Sequence, residues 1–199
     1  MIKVDTIVIA TNNPNKAREF REMFADKNIQ FKTLADFPDI KEINENGSSF
    51  EENATIKAEA VSNLTNLPVL ADDSGLEVHS INDEPGIKSA RYAGDHDDAA
   101  NNKKLLDKLK GMQDKSASFV TCLVLLNPEG KKLVVYGTVD GEILDAPKGN
   151  NGFGYDPLFY VPSKHKSMAE MTDDEKNEIS HRGNAIRNLY QKFDEWWKV

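Results

Sequence analysis

Four short polar segments of this chain combine residue types that can bind anions, bind cations or activate water. They are Thr11–Lys16, Ala71–Gly75, Gly152–Pro157 and Ser180–Gly183. The first contains a lysine after a polar turn, the second a pair of carboxylates, the third an aromatic ring between glycines, and the fourth a His-Arg pair. One such segment is weak support for any chemistry. All four in a chain of 199 residues indicate the handling of a nucleoside triphosphate with a metal ion.

The paired carboxylates Asp72 and Asp73 directly follow the apolar run Pro68–Ala71, which we predict to be a buried strand that ends at the pair. Ligand sites in α/β proteins favour the ends of strands. Two adjacent carboxylates can hold a hard divalent cation, and one of them can orient or deprotonate a water molecule. A solvated Asp-Ser-Gly turn is the alternative, and this segment taken alone favours the turn.

Lys16 lies in the first turn of a helix for which we predict Asn13 as the N-cap and Pro14 as the first residue. Backbone N–H groups at a helix N-terminus can bind phosphate oxygens, and the lysine adds a positive charge. Asn12 and Asn13 can donate hydrogen bonds and tolerate left-handed backbone conformations. An ordinary exposed lysine is the alternative, and the segment alone favours it.

Phe153 stands between Gly152 and Gly154, at the end of a stretch that we predict to be a mobile loop, residues Lys148–Gly154. The two glycines allow the backbone to approach a flat ligand while the ring stacks on it. Stacking of a base on an aromatic ring contributes roughly 1–3 kcal/mol. A loop whose aromatic residues only cover the core explains this segment equally well.

His181 and Arg182 lie in or near the start of a helix, and both side chains can donate hydrogen bonds. Lys176 is within about one helical turn of them. Gly183 inside a helix costs up to about 1 kcal/mol relative to alanine, which suggests close packing or binding at that position. A solvated basic helix face is the alternative for this segment in isolation.

The composition restricts the class of protein. The net charge is −8, and no block of like charge forms the basic face with which proteins bind DNA or RNA. The single cysteine, Cys122, lies in an apolar run, so we expect an inert core thiol and no internal disulfide. No segment resembles an export signal or a membrane span, so we expect a cytoplasmic protein with no membrane partner.

Apolar periodicity and turn residues predict alternating strands and helices in one domain, residues 1–199. The predicted strands are Ile7–Ala10, Gln30–Thr33, Pro68–Ala71, Ala117–Leu126, Lys132–Thr138 and Leu158–Val161. Predicted helices begin at Pro14 and near Ser48 or Ser49, and span Asp97–Lys110 and Thr172–Trp197 with a break near Ser180. Helical crossovers together with a hairpin indicate an α/β fold with a mixed sheet.

Taken together, these segments make the chain resemble the inosine/xanthosine triphosphate pyrophosphatase family, which acts on non-standard purine nucleotides. The resemblance runs from the first strand to the last helix, with matching order and spacing. The matching segments are Thr11–Lys16, Phe50–Ala54, Ala71–Leu76, Pro85–Gly94, the loop around Phe153, and Ser180–Gly183.

The resemblance implies a two-lobed α/β fold with an elongated mixed β-sheet flanked by helices and a nucleotide cleft between the lobes. It implies Mg²⁺-dependent hydrolysis of ITP, dITP and XTP to the monophosphate and pyrophosphate, which would keep these nucleotides out of DNA and RNA. It further implies a homodimer. In this reading a water molecule attacks the α-phosphorus in line, and catalysis consists mostly of positioning and electrostatics.

By position, Asp73 matches the family's catalytic carboxylate and metal ligand, Glu45 a second metal carboxylate, and Ser74 a residue near the triphosphate loop. That loop is matched by Thr11, Asn12, Asn13, Pro14, Asn15 and Lys16. The remaining nucleotide-binding positions are matched by Phe153, Gly154, Tyr155, Asp156, Lys176, His181 and Arg182.

The chain departs from the family pattern at two places. Asn12 stands where many members have glycine, and because asparagine tolerates positive φ we expect the turn to be retained. Many members have consecutive glutamates in the acidic loop, whereas here the segment Glu42–Gly47 places only Glu45 in register. The assignment of a second metal ligand therefore rests on one side chain.

Three other functions fit parts of the pattern. A pyrophosphatase of similar fold could act on modified pyrimidine nucleotides, although the His-Arg pair favours a purine carbonyl. A non-catalytic nucleotide sensor would not need the Asp72-Asp73 pair together with Lys16. An α/β domain of unrelated role would not explain four motifs in one order.

Overall fold

The computed structural model of the chain describes residues 5–197, without the side chain of Asn15. Its strands are β1 (Asp5–Ile9), β2 (Ile29–Thr33), β3 (Val69–Val78), β4 (Glu84–Gly86), β5 (Ser116–Leu126), β6 (Lys132–Ile143), β7 (Phe159–Val161) and β8 (Lys166–Ser167). Its α-helices are α1 (Pro14–Met23), α2 (Phe50–Thr65), α3 (Asp98–Leu109), α4 (Asp173–Ile179) and α5 (His181–Trp197).

The strands form one eight-stranded sheet in the order β2-β1-β3-β5-β6-β7-β8, with β4 paired to β3. β1 is parallel to both β2 and β3, whereas β3–β4, β6–β7 and β7–β8 are antiparallel. Helical crossovers supply the parallel pairs, whereas the antiparallel pairs β3–β4 and β7–β8 are joined by short turns and β6–β7 by the long segment 144–158. The predicted α/β class with a mixed sheet is confirmed.

β3 contradicts one detail of the sequence prediction. The strand was expected to end at Asp72, but it runs without interruption through Asp72–Gly75 to Val78. Beyond the carboxylate pair it pairs with β4, with Leu76 opposite Gly86 and Val78 opposite Glu84. β3 also neighbours β5 in the sheet, so strand pairing with segments later in the sequence overrides the turn preference of the Asp72–Gly75 residue types.

Helix boundaries follow local capping chemistry. Ser49 caps α2, since its side chain accepts a hydrogen bond from the backbone N–H of Glu52, while the Glu52 carboxylate accepts from Ser48. Thr172 and Glu175 form a capping box at the start of α4. Ser180 has extended dihedrals between α4 and α5, which confirms the predicted break.

The described residues divide into two compact units, each formed by separate stretches of the chain. The first comprises the described residues up to Asp73, Cys122–Tyr136, and the described residues from Ala185 onward. The second comprises Ser74–Thr121 and Gly137–Asn184. The single domain predicted for residues 1–199 stays a prediction.

Each unit has its own apolar core. Phe24 is central to the first, where its ring makes edge contacts with Phe31, Tyr190 and Phe193. Phe119 and Phe159 pack against each other in the second, with ring centroids 4.4 Å apart. These cores hold the strands and helices that carry the polar segments.

Cys122 is a fully buried free thiol in β5, as predicted. Within residues 5–197, no helix is long and apolar enough to cross a bilayer.

Candidate functional site

In the first unit, the start of α1 is joined to the carboxylate pair by an ion pair. Lys16 Nζ lies 2.6 Å from Asp72 Oδ2, and the Asp72 side chain is only 3% exposed. The backbone N–H of Lys16 donates to Asn13 Oδ1 over 3.4 Å, which agrees with Asn13 as the N-cap. Thr11 Oγ1 accepts from the backbone N–H of Asn13 over 3.0 Å. The turn is thereby held against the end of β1, with Lys16 beside the acidic pair.

Asp73 is oriented by a buried amide. Asn53, which is 1% exposed at the start of α2, donates from Nδ2 to Asp73 Oδ2 over 3.0 Å. The Oδ1 atom of Asn53 accepts from the backbone N–H of Gly47 over 2.8 Å. A Cβ atom at Gly47 would lie 2.8 Å from Asn53 Oδ1, so glycine lets the acidic loop approach this closely. One side chain therefore contacts both that loop and the proposed catalytic carboxylate.

Lys57, one turn further along α2, connects the same loop to β3. Its Nζ donates to the backbone carbonyl of Asp72 over 2.8 Å and lies 3.0 Å from Glu45 Oε1. Its side chain is 15% exposed. Because partial burial reduces screening by water, this cation acts on the acidic residues around it more strongly than a surface lysine would.

Glu45, Asp72 and Asp73, together with Lys16 and Lys57, form what we call the carboxylate cluster. Its charges can bind phosphate through the two lysines and a hard cation through the carboxylates. Among residues 5–197, no group of three or more His, Cys, Asp or Glu side chains is arranged to hold a metal ion. Mg²⁺ is usually held by only one or two carboxylates plus substrate phosphates and water. Glu45 and Asp73 supply carboxylates of the kind that this ion accepts, and their role as its ligands stays a prediction.

In the second unit, another charged pair joins α4 to the phenylalanine loop, which we define as residues Gly152–Pro157. Lys176 Nζ lies 2.5 Å from Asp156 Oδ2, and Asp156 is 3% exposed. The same Asp156 oxygen accepts the backbone N–H of Phe153 over 3.0 Å. The Phe153 ring is 63% exposed, and Lys176 Nζ lies 5.1 Å from its centroid. An exposed ring above an anchored backbone is suited to stacking on a flat ligand.

Two predicted binding residues of this unit take part in the packing of the protein. Tyr155 is buried, and its hydroxyl donates to the Ser89 carbonyl over 2.9 Å. Burial raises the pKa of that phenol above its usual value. Ser74 and Thr121 share a hydrogen bond of 2.8 Å between their hydroxyls.

His181 and Arg182 occupy the first turn of α5, and both are half-buried. The His181 ring stacks on Phe119, with centroids 4.9 Å apart and an interplanar angle of 17°. The hydroxyl of Ser180 accepts the backbone N–H of Gly183 over 3.1 Å. The stacking fixes the plane of the imidazole, so its ring nitrogens have defined directions.

Two residues of the first unit were not assigned a role from sequence. Asn53 falls inside the matching segment Phe50–Ala54, and Lys57 lies four residues later on the same helix. That i, i+4 spacing places both on one face of α2. The spacing was a sequence signal that could have indicated a shared role for the two residues. The side chain of Asn15 lies outside the described part of the chain, so its predicted role stays a prediction.

The chain is similar to known proteins over most of its length. The profile of the Ham1 family matches residues 7–192. A relative from Lactiplantibacillus plantarum, named dITP/XTP pyrophosphatase, is 60% identical over 199 residues, which cover 99% of this chain and 98% of the relative.

Solved structures give the same result. The Staphylococcus aureus Ham1 protein superposes with a TM-score of 0.90 at 46% identity, covering 96% of this chain and 99% of that one. A HAM1 protein from Coxiella burnetii gives 0.92 at 43% identity, with coverage of 96% and 99%. The resemblance and the fold class predicted from the sequence are confirmed.

Proposed function

The chain belongs to the Ham1 family, and on that premise we propose that it hydrolyses non-standard purine nucleoside triphosphates, namely ITP, dITP and XTP. The products are the nucleoside monophosphate and pyrophosphate. The reaction removes these nucleotides from the pool available for DNA and RNA synthesis. The observation that carries the proposal is the buried Asp72 and its neighbour Asp73 at one place in β3, with Lys16 and Lys57 in contact with Asp72.

The phosphates are assigned to the turn Thr11–Lys16. Backbone N–H groups at the start of α1 and the ammonium of Lys16 supply the positive potential that an anionic chain of phosphates requires. Lys16 is paired with Asp72 before substrate binds. When substrate binds, a phosphate oxygen shares this ammonium with Asp72. The lysine side chain is therefore already oriented before the phosphates reach it.

Asp73 is assigned the role of accepting a proton from the attacking water or of orienting that water. Asp72 is the weaker candidate, because it is nearly fully buried and its carboxylate forms the ion pair with Lys16. Asp73 is partly exposed, and the Asn53 amide fixes its direction. The water oxygen bonds to the α-phosphorus, the bond to the bridging oxygen breaks, and pyrophosphate leaves.

Mg²⁺ dependence is part of the proposal, with Glu45 and Asp73 as the protein ligands. When bound, the ion supplies charge neutralisation on the phosphate oxygens. The Glu45 carboxylate forms an ion pair with Lys57, so this lysine shares that carboxylate with the cation or turns toward phosphate.

The base is assigned to residues of the second unit. Phe153 stacks on the purine, and His181, Arg182 and Lys176 supply donors for the carbonyl at position 6 of hypoxanthine or xanthine. Lys176 is already held by Asp156 beneath the loop. Homodimeric assembly, which the family resemblance implies, and a cytoplasmic location, which the sequence analysis leads us to expect, belong to the same proposal.

The identity of the bond that breaks provides the test. Incubation of the protein with ITP and Mg²⁺, followed by chromatography of all products, should give IMP and pyrophosphate in equal amounts. IDP and orthophosphate as the main products would contradict the pyrophosphatase assignment. A panel including modified pyrimidine triphosphates in the same assay tests the rival substrate class, and absence of turnover on every nucleotide would favour the sensor.

A further inference from the structure

The backbone of Gly154, the residue after Phe153, is held by helix α3 at both its N–H and its carbonyl. The backbone N–H of Gly154 donates to Asp98 Oδ2 over 2.7 Å. The carbonyl of the same residue accepts from Asn102 Nδ2 over 2.8 Å. Asp98 and Asn102 are four residues apart and therefore lie on one face of α3. Both hydrogen-bonding groups of one loop residue are thus satisfied by one helix.

These contacts are not needed to build α3 itself. The N-cap of the helix is Asp97, whose Oδ1 accepts the backbone N–H of Ala100 over 2.9 Å. Asp98 is the next residue, and its carboxylate is directed to the loop instead. The bond from Gly154 to a charged oxygen belongs to the stronger class of hydrogen bonds.

The backbone of the loop requires such support. Gly154 has φ +62° and Gly152 has φ +77°. Both are left-handed conformations, which glycine adopts readily, but a flexible glycine needs contacts to stay in one conformation. The N–H of Phe153 is bound to Asp156, so the ring is anchored on its N-terminal side. The contacts from α3 anchor it on the other side, while the ring remains 63% exposed.

We propose that Asp98 and Asn102 are positioning residues for base recognition, which hold the Phe153 ring ready for stacking through the Gly154 peptide. This inference rests on the proposed function, because it takes Phe153 to be the base-stacking residue. An ordered ring avoids the entropy loss of ordering the loop when the nucleotide binds. The two residues therefore act on binding of the base and not on bond cleavage.

The test compares ITP with ribose 5-triphosphate, which has the sugar and phosphates but no base. Loss of the neutral hydrogen bond in Asn102→Ala should raise KM for ITP roughly 2- to 12-fold, and loss of the bond to the charged carboxylate in Asp98→Ala should raise it by about 12-fold or more. kcat for ITP should stay unchanged, because a contact equal in ground and transition states affects KM alone. Both constants for ribose 5-triphosphate should also stay unchanged.

Two variants serve as controls. Asp98→Asn keeps an oxygen that accepts the Gly154 N–H, so its KM should lie between those of the wild type and Asp98→Ala. Asp107→Ala removes an exposed carboxylate from the same helix, where it pairs only with Lys103 among the contacts described, and it should leave every constant unchanged. An equal rise in KM for both substrates would overturn the proposal, as would no change with ITP.

Hydrogen exchange separates this inference from the proposed function. If the wild type fails to hydrolyse ITP, the function fails, yet the positioning role still predicts faster amide exchange at Phe153 and Gly154 in Asn102→Ala. Unchanged exchange there would overturn the role independently of activity. Thermal unfolding of each variant identifies global loss of structure. If Asp98→Ala does not fold, the results with Asn102→Ala decide whether the positioning role holds.

Discussion

Asn53 Nδ2 donates a hydrogen bond to Asp73 Oδ2 across 3.0 Å, and the rest of its amide is bound to the backbone of Gly47. The amide is buried and uncharged, so it fixes the direction of the Asp73 carboxylate without neutralising it. Supporting contacts of this kind often matter nearly as much as the groups they orient. The relationship makes Asn53 a sensitive position, although it touches no substrate in the proposed mechanism.

Replacement of Asn53 by alanine should lower kcat for ITP by about 10- to 100-fold, the usual effect of losing an orienting partner. It also removes the acceptor of the Gly47 N–H, so a fall in stability of about 1–3 kcal/mol is expected. Steady-state kinetics and urea unfolding measure the two effects. Asn63→Ala, an exposed asparagine on the same helix, is the matched control. If Asn53→Ala and Asn63→Ala show the same kinetics, Asp73 does not depend on Asn53 for its activity.

Replacement of Asp73 by asparagine keeps the shape of the side chain but removes its charge. A positioned general base contributes about 10²–10⁴-fold in rate, and we expect a fall in kcat at least that large. The fold and nucleotide binding should persist, which circular dichroism and equilibrium binding of ITP would confirm. Near-normal turnover would transfer the role to Asp72 and require its ion pair with Lys16 to break during the reaction.

Selectivity between ITP and ATP should shrink when Arg182 is replaced by alanine. Adenine presents an amino donor at position 6, so donors built for a carbonyl are left unpaired, which costs about 1–3 kcal/mol per group. We therefore expect kcat/KM to fall far more for ITP than for ATP. The two substrates are measured in parallel. If both values fall by one factor, Arg182 binds phosphate or supports the fold.

Local patterns predicted the capped helices, the buried strand around Cys122 and the break at Ser180, because each depends on neighbours within a few residues. The continuation of β3 through Asp72–Gly75 could not be predicted from such local patterns. β3 neighbours β1 and β5 in the sheet and pairs with β4 beyond Gly75, and the sequence does not display the register of such contacts. The Asp-Asp-Ser-Gly residue types favour a turn, and tertiary pairing overrode that preference.

The residues of the candidate site also differ in how well the sequence predicts them. Lys16, the Asp72-Asp73 pair and Phe153 were named as candidates from residue type and spacing, and the family resemblance singled out Asp73 within the pair; these roles stay predictions. Asn53 was marked in the sequence only by the matching segment Phe50–Ala54 and by its i, i+4 spacing to Lys57, and no sequence pattern marked Asn102. Their roles depend on which distant backbone or carboxylate lies opposite, 20 residues away for Asn53 and 52 for Asn102.

The burial of Cys122 has a consequence for measuring how the protein opens. Burial raises the pKa of this thiol to about 11, and only the thiolate form attacks a disulfide reagent. The chain has one cysteine, so any labelling signal comes from one known position in β5. Labelling should therefore occur through rare opening of the native state, and its rate relative to the unfolded chain gives the opening equilibrium constant. Nucleotide that binds only the closed state would slow this labelling in proportion to its occupancy.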